Sequence, residues 1–164
     1  MQFISYYSSP LGKIIMSADC DGLTGLRFEG QKYFPEDLRD FVNTETKVLS
    51  AAKEWLNVYF SGKEPDFIPP LSLHGTSFRM EVWEKLRHIP YGTVTTYGSI
   101  ARQISAAHGN KNVSAQAVGG AVGRNPVSII IPCHRVVGAD GSLTGYAGGI
   151  EKKLFLLRME GSYS

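Results

Sequence analysis

Near the start of the chain, apolar residues recur in three short runs. Residues 2–8, 13–18 and 23–29 are rich in Ile, Phe and Tyr, with Ser9-Pro10-Leu11-Gly12 and Asp21-Gly22 as turn signals between them. Three strands on short turns predict an antiparallel meander. Residues 30–43 are polar and read as loop or short helix. Over 46–60 the spacing becomes helical, with Val48, Ala52, Trp55 and Tyr59 on one face, Leu49, Leu56 and Phe60 beside them, and Ser61-Gly62 as the stop. Residues 64–70 contain Pro65, Pro69 and Pro70, which keep the segment extended. A boundary near residue 72 divides the chain into domains 1–72 and 73–164.

The second half opens on Thr76-Ser77 as a helix cap. Phe78, Val82, Leu86 and Ile89 mark one face, Trp83 lies adjacent, and Pro90-Tyr91-Gly92 ends the helix. After the β-branched link Thr93-Val94-Thr95, residues 97–104 read as a second helix with Ile100 and Ile104 inward. Ser114 caps a third over 114–122, built mostly of small residues. This order suits a helix-turn-helix; the small residues equally suit a helix packed tightly inside the protein. Ile129-Ile130-Ile131 reads as a buried strand that ends or bulges at Pro132. Cys133 and His134 then stand at a strand's rim, facing opposite sides. Residues 144–149 form a Gly-rich loop carrying Tyr146, without the Gly-Lys-Ser/Thr of a phosphate cradle. Residues 150–160 read as a last helix with Ile150, Leu154 and Leu157 inward.

The 164 residues, 43% hydrophobic and 20% charged, describe an ordinary globular protein with room for one large core or two small ones. No apolar run is long enough to span a bilayer, and the N-terminus lacks the pattern of a signal peptide. Two cysteines are too few for a disulfide framework and suit a reducing, intracellular home. Charge is uneven. Residues 1–72 carry 7 Lys+Arg against 10 Asp+Glu, and residues 73–164 carry 10 against 5, so the basic second half is the candidate for meeting a polyanion.

Cys133 beside His134 is the one constellation with nucleophile chemistry. Its bland reading is a buried structural Cys beside a surface His. A carboxylate behind His134 would fix its tautomer, and Asp140, Glu151 and Glu160 are all near enough in sequence. One adjacent Cys-His pair with Cys20 remote makes a poor zinc site.

Asn125-Pro126 followed by Pro132-Cys133-His134-Arg135-Val136 closely resembles the active-site signature of the O6-alkylguanine-DNA alkyltransferases, the self-inactivating repair family also called methylated-DNA–protein-cysteine methyltransferases. The likeness extends through Ile89-Pro90-Tyr91-Gly92-Thr93-Val94-Thr95-Thr96-Tyr97, Ala117-Val118-Gly119-Gly120-Ala121 and Gly145-Tyr146-Ala147-Gly148-Gly149. It covers nearly all of 76–161, and the first half fits more loosely.

The resemblance implies an α+β chain of two domains: a ribonuclease H-like N-terminal domain, a small antiparallel sheet with a helix, and a winged-helix, helix-turn-helix-like C-terminal domain. It implies that Cys133 takes the alkyl group irreversibly, once per molecule, from O6-alkylguanine in duplex DNA, with O4-methylthymine a further candidate. His134 acts as base through a water, and Glu160 orients it. Asn125 braces the turn around Cys133, and Tyr97 donates to the guanine and helps turn its nucleotide out. Tyr146, Ala147, Gly148 and the carbonyl of Val136 would bind the extruded base. Ala115, Gln116, Ala117, Gly119 and Arg124 would meet the DNA, while Arg135 is structural. Gln116 stands where relatives often place an Arg that fills the hole left by the flipped base. No cofactor and no metal are expected: some relatives hold zinc in the first domain, and Cys20 alone does not reproduce that site. The implied partner is double-stranded DNA containing alkylated guanine, with no membrane, for a monomer in the cytoplasm at the nucleoid, or in the nucleus of a eukaryote.

Overall fold

The computed structural model describes every residue except Pro35 and Glu36. The part of the loop-or-helix expectation for 30–43 that falls on those two lies outside the described residues. The chain divides into two compact units, Met1–His74 with Pro126–Ser128, and Gly75–Asn125 with Ile129–Ser164. A boundary at 72/73 falls two residues short of His74 and does not anticipate that Pro126–Ser128 also belong to the first unit.

In the first unit, β1 (Gln2–Ser9), β2 (Gly12–Ala18) and β3 (Leu23–Phe28) form the meander. A short β4 (Phe41–Asn43), hidden in the polar stretch, adds to β1 in parallel, so the sheet is mixed rather than purely antiparallel, in the order β3-β2-β1-β4. Its three residues are too few to show an alternating pattern. Helix α1 (Lys47–Phe60) starts at Thr46, whose hydroxyl accepts from the Leu49 amide, and stops at Ser61. Ile14, Met16, Leu26 and Phe28 on the strands and Leu49, Ala52, Leu56 and Tyr59 on α1 are fully buried or nearly so, and make the core. The outer edge of β3 is covered: Leu71 bridges Leu23, and Val127 bridges Leu26. The Leu26 amide donates to Pro126 O at 2.9 Å and Leu26 O accepts from the Ser128 amide at 2.9 Å. These pairings satisfy an edge that would otherwise invite another strand.

In the second unit, α2 (Ser77–Arg87), α3 (Tyr97–Ala107) and α4 (Ala115–Gly123) are each opened by a side-chain cap, from Thr76, Thr96 and Ser114. A two-residue parallel pair, β5 (Thr95–Thr96) with β6 (Val136–Val137), and the last helix α5 (Ile150–Glu160) complete it. Trp83 donates its indole N–H to Ala121 O at 2.9 Å and so ties α2 to α4.

Two expectations fail here. Ile129-Ile130-Ile131 is buried but forms no strand. It is a turn, and Ile129 sits in left-handed backbone at φ 71°. For a β-branched residue that conformation costs about 1–3 kcal/mol, and such strain gathers at functional sites. On α5, the buried face runs through Lys153, Leu156, Leu157 and Glu160, while Ile150 is exposed. Leu157 is inward as expected and Leu154 is half-buried, but the stripe, at spacing i, i+3, i+4, i+7, has charged ends, so a reading that follows only apolar residues misses Lys153 and Glu160.

Candidate active site

All the site geometry lies in the second unit. Pro132, at φ −81° and ψ 65°, makes a tight inverse γ-turn, and the Cys133 amide donates to Ile131 O at 2.8 Å. Cys133–Arg135 then form one turn of 3-10 helix rather than a strand rim. On such a turn, successive side chains diverge by about 120°, so Cys133 and His134 do not face opposite sides. Asn125 donates its side-chain amide to the same Ile131 O at 2.8 Å. Its side chain also hydrogen-bonds the Cys133 sulfur. It thus braces the turn and touches the thiol together.

Cys133 is 5% exposed. Burial pushes its thiol up, while Asn125, the positive charge of Lys153 and the backbone amides of Cys133 and His134 pull it down. The sulfur is therefore held as a thiol, ringed by groups that would stabilise the thiolate once its proton leaves.

Behind it lies a buried relay. His134 and Glu160 are both sealed from solvent at their side chains, with His134 Nε2 2.7 Å from Glu160 Oε2. Arg135 donates from Nε to Glu160 Oε1 at 2.8 Å, from Nη2 to Oε2 at 3.2 Å and from Nη1 to Ile89 O at 2.7 Å. Burial alone would raise the Glu160 carboxyl, but His134 and Arg135 outweigh it and hold it at about 2. Burial pushes His134 below its ordinary value, so the imidazole is neutral at pH 7. Facing an ionised carboxylate, Nε2 must carry the proton, which leaves Nδ1 as the basic nitrogen. Nδ1 is buried and has no hydrogen-bond partner among the described residues. Of the three carboxylates left open by spacing, only Glu160 lies behind His134. Asp140 instead caps its own turn at the Ser142 amide.

Lys153 is the residue that the sequence reading missed. Fully buried, it donates from Nζ to Val136 O at 2.6 Å and to Thr144 O at 2.9 Å. Tyr97 donates its hydroxyl to the same Thr144 O at 3.0 Å. The Gly-rich loop is therefore pinned at its base, and Tyr146 on it is 9% exposed. The available signal was positional: Lys153 lies seven residues, two helical turns, before Glu160.

Burial lowers Lys153 from 10.5 to about 8. Below pH 8 the folded protein holds this charge at a cost of about 3 kcal/mol. The cost shrinks between pH 8 and 10.5, where only the unfolded chain keeps the proton, and is gone above. Lys153→Met is therefore expected to unfold at higher denaturant than the parent at pH 7, with the difference closing by pH 10.5. Urea titrations at three pH values check this; a variant less stable at pH 7 contradicts it.

The helix read as meeting DNA exposes Ala115, Gln116 and Ala117 on α4, with Arg124 exposed at its end. Gly119 lies against the Tyr97 ring, 3.7 Å from the place of a Cβ. A Cβ at Gly120 or Gly123 would meet nothing within 4 Å, so internal packing does not explain why those positions are small. The alternative of a helix buried for tight packing fails on this point. Val136 is fully buried, and Ala147 and Gly148 are half-buried on the loop.

Residues 77–162 match the family model described as 6-O-methylguanine DNA methyltransferase, DNA binding domain, and residues 3–73 match its ribonuclease-like domain. A methylated-DNA–protein-cysteine methyltransferase of Haemophilus influenzae is 40% identical over 96% of this chain and 86% of its own length. One from Methanosarcina acetivorans is 42% identical over 98% and 99%. The crystal structure of Mycobacterium tuberculosis OGT in complex with DNA is 41% identical with a TM-score of 0.86, covering 98% of this chain and 93% of that one.

Proposed function

Since the chain belongs to the 6-O-methylguanine DNA methyltransferase family, we propose that it repairs duplex DNA by moving the alkyl group of O6-alkylguanine onto Cys133. The observation that carries the assignment of residues is the buried Cys133 sulfur, bonded by Asn125, next in sequence to a neutral His134 whose Nδ1 is the free base.

The damaged base lies inside the stack and must be extruded to be reached; this costs a few kcal/mol, less for a poorly paired lesion. Helix α4 presents its small exposed residues to the minor groove. Gln116 takes the position beside the orphaned cytosine, and Tyr146, Ala147, Gly148 and the carbonyl of Val136 receive the flipped guanine. His134 Nδ1 takes the thiol proton through a water, and Glu160 steadies the imidazolium that forms. The thiolate attacks the alkyl carbon; the sulfur–carbon bond forms as the carbon–oxygen bond breaks and its electron pair returns to the purine. Tyr97 supplies the proton that the departing guanine takes up, and the one held on His134 replaces it. The thioether has no simple route back, so each molecule acts once. No step needs a cofactor, and the protein acts as a monomer.

Intact mass after incubation with a duplex carrying O6-methylguanine tests the reading. A stoichiometric gain of one methyl, mapped to Cys133, supports it. Tight lesion binding with unchanged mass would make the protein a damage sensor instead.

Gln116 can hydrogen-bond an orphaned base but carries no charge. Gln116→Arg is therefore expected to tighten binding to the lesion duplex several-fold, about 1 kcal/mol, with a steeper loss of affinity as salt rises. Fluorescence anisotropy across a salt series measures both, and an unchanged slope would place residue 116 away from the DNA.

A further inference from the structure

The first unit carries a charged side chain that the alkyl transfer does not use. Arg27 lies on the face of the sheet opposite the α1 core, paired across β2 with Ile15. Next to it, Ser17 pairs with Gly25. The guanidinium is half-buried, and burial is what pulls its pKa down. Among the described residues it has no hydrogen-bond or ion-pair partner. A guanidinium with five donors, partly withdrawn from water and unpaired, is costly.

The surroundings keep a place for it. Gly25 has ordinary extended backbone, so its conformation does not call for glycine. A Cβ there would overlap Arg27 Nη1 and stand 2.7 Å from Ser17 Oγ. Glycine weakens a strand, and here it clears the space in which the guanidinium lies. The side chain borders a cavity of about 230 Å³. Phe34, Leu38 and Phe41 form an apolar wall, while Gln2, Ser17 and Thr24 add polar groups within hydrogen-bond reach of one another. Among the described residues, no Asp or Glu lines it. His74, at the rim, lies 3.7 Å from Asp19 Oδ2.

We propose that this cavity is a binding site for a small organic oxyanion, a carboxylate or a phosphate monoester with a compact apolar body, held by Arg27. One cation set against hydroxyls and an aromatic wall matches that chemistry. The volume falls below the ~300 Å³ at which drug-sized ligands begin to fit.

Benzoate, phenyl phosphate and inorganic phosphate serve as probes of the full-length protein, followed by amide NMR shifts. At least one of the first two is expected to shift Ser17, Gly25, Arg27 and Phe41 saturably, and inorganic phosphate more weakly. The better probe tells carboxylate from phosphate ester. Arg27→Gln is expected to weaken binding at least tenfold while the spectrum stays folded. In anion-free buffer, Arg27→Met is expected to melt above the parent and to lose the rise in melting temperature that the probe gives the parent. Equal binding by Arg27→Gln, no saturation with any probe up to about 50 mM, or Arg27→Met melting below the parent overturns the site.

Discussion

Cys133→Ser is expected to bind a duplex carrying O6-methylguanine and to gain no methyl group. Serine keeps the shape of the side chain and its place on the 3-10 turn, so Asn125 still has an atom to bond at residue 133. The chemistry changes with the atom. A thiol can be ionised by a neutral imidazole, whereas an alcohol hydroxyl holds its proton too tightly and its oxygen is a poorer acceptor for alkyl carbon. The substitution leaves α4, the proposed DNA face, untouched, so affinity for the lesion should stay within about twofold. Intact mass and anisotropy on one sample give both readouts. Methyl gain in Cys133→Ser would move the acceptor to another side chain, with the exposed Cys20 first in line. Loss of binding together with transfer would instead mean that the substitution disturbed the fold, which circular dichroism would reveal.

Much of the architecture was legible because local signals and tertiary packing agree. Helices α1, α2, α3 and α4 begin at Thr46, Thr76, Thr96 and Ser114, where each side-chain oxygen accepts an amide hydrogen bond of the first turn. The meander follows turns at Pro10-Leu11-Gly12 and Asp21-Gly22. What stayed hidden depends on distant partners. Strand β4 exists through its pairing with β1, and Val127 counts as sheet only because Leu26 lies opposite it. Ile129-Ile130-Ile131 misled for a sharper reason. A run of β-branched residues favours a strand, but burial alone satisfies their side chains, and the turn through Ile129 and Pro132 sets the backbone instead.

The site shows the same division. Cys133, His134 and Asn125 are near in sequence, and their chemistry could be named before their geometry. Glu160 could be chosen from among three carboxylates only through the resemblance to a family; its place behind His134 arises from how α5 packs against the 3-10 turn. Lys153 was invisible because a lysine that follows Glu151 and Lys152 at the start of a helix reads as a long side chain reaching out to water. Here its ammonium ends on carbonyls on either side of the turn at 138–142, Val136 O and Thr144 O, which no spacing rule anticipates.

Glu160→Gln should carry the largest stability cost of any isosteric change in this relay. The carboxylate accepts from His134 and twice from Arg135, and its side chain is sealed from solvent. An amide of the same shape has one acceptor oxygen, carries no charge and turns an NH2 toward one of the two donors. Arg135, 8% exposed, then stays charged without a counterion. Breaking a buried pair on one side costs about 3–5 kcal/mol, on the order of 10 °C in melting temperature for a chain of this length. The pH dependence has a definite sign. The folded Glu160 carboxyl is held at about 2, below its ordinary 4.5, so its contribution is full above pH 4.5 and fades as pH falls toward 2. The gap between parent and variant should narrow over that window. Adding Arg135→Met to Glu160→Gln removes the stranded charge and should recover much of the lost stability, but not methyl transfer, because His134 still lacks the carboxylate that, in the proposed mechanism, fixes Nδ1 as the base. Denaturant titrations from pH 2.5 to 7 and single-turnover transfer rates, taken where both variants are folded, separate the two effects. Full transfer in the double variant would mean that Glu160 serves the fold through Arg135 and leaves the base to His134 alone.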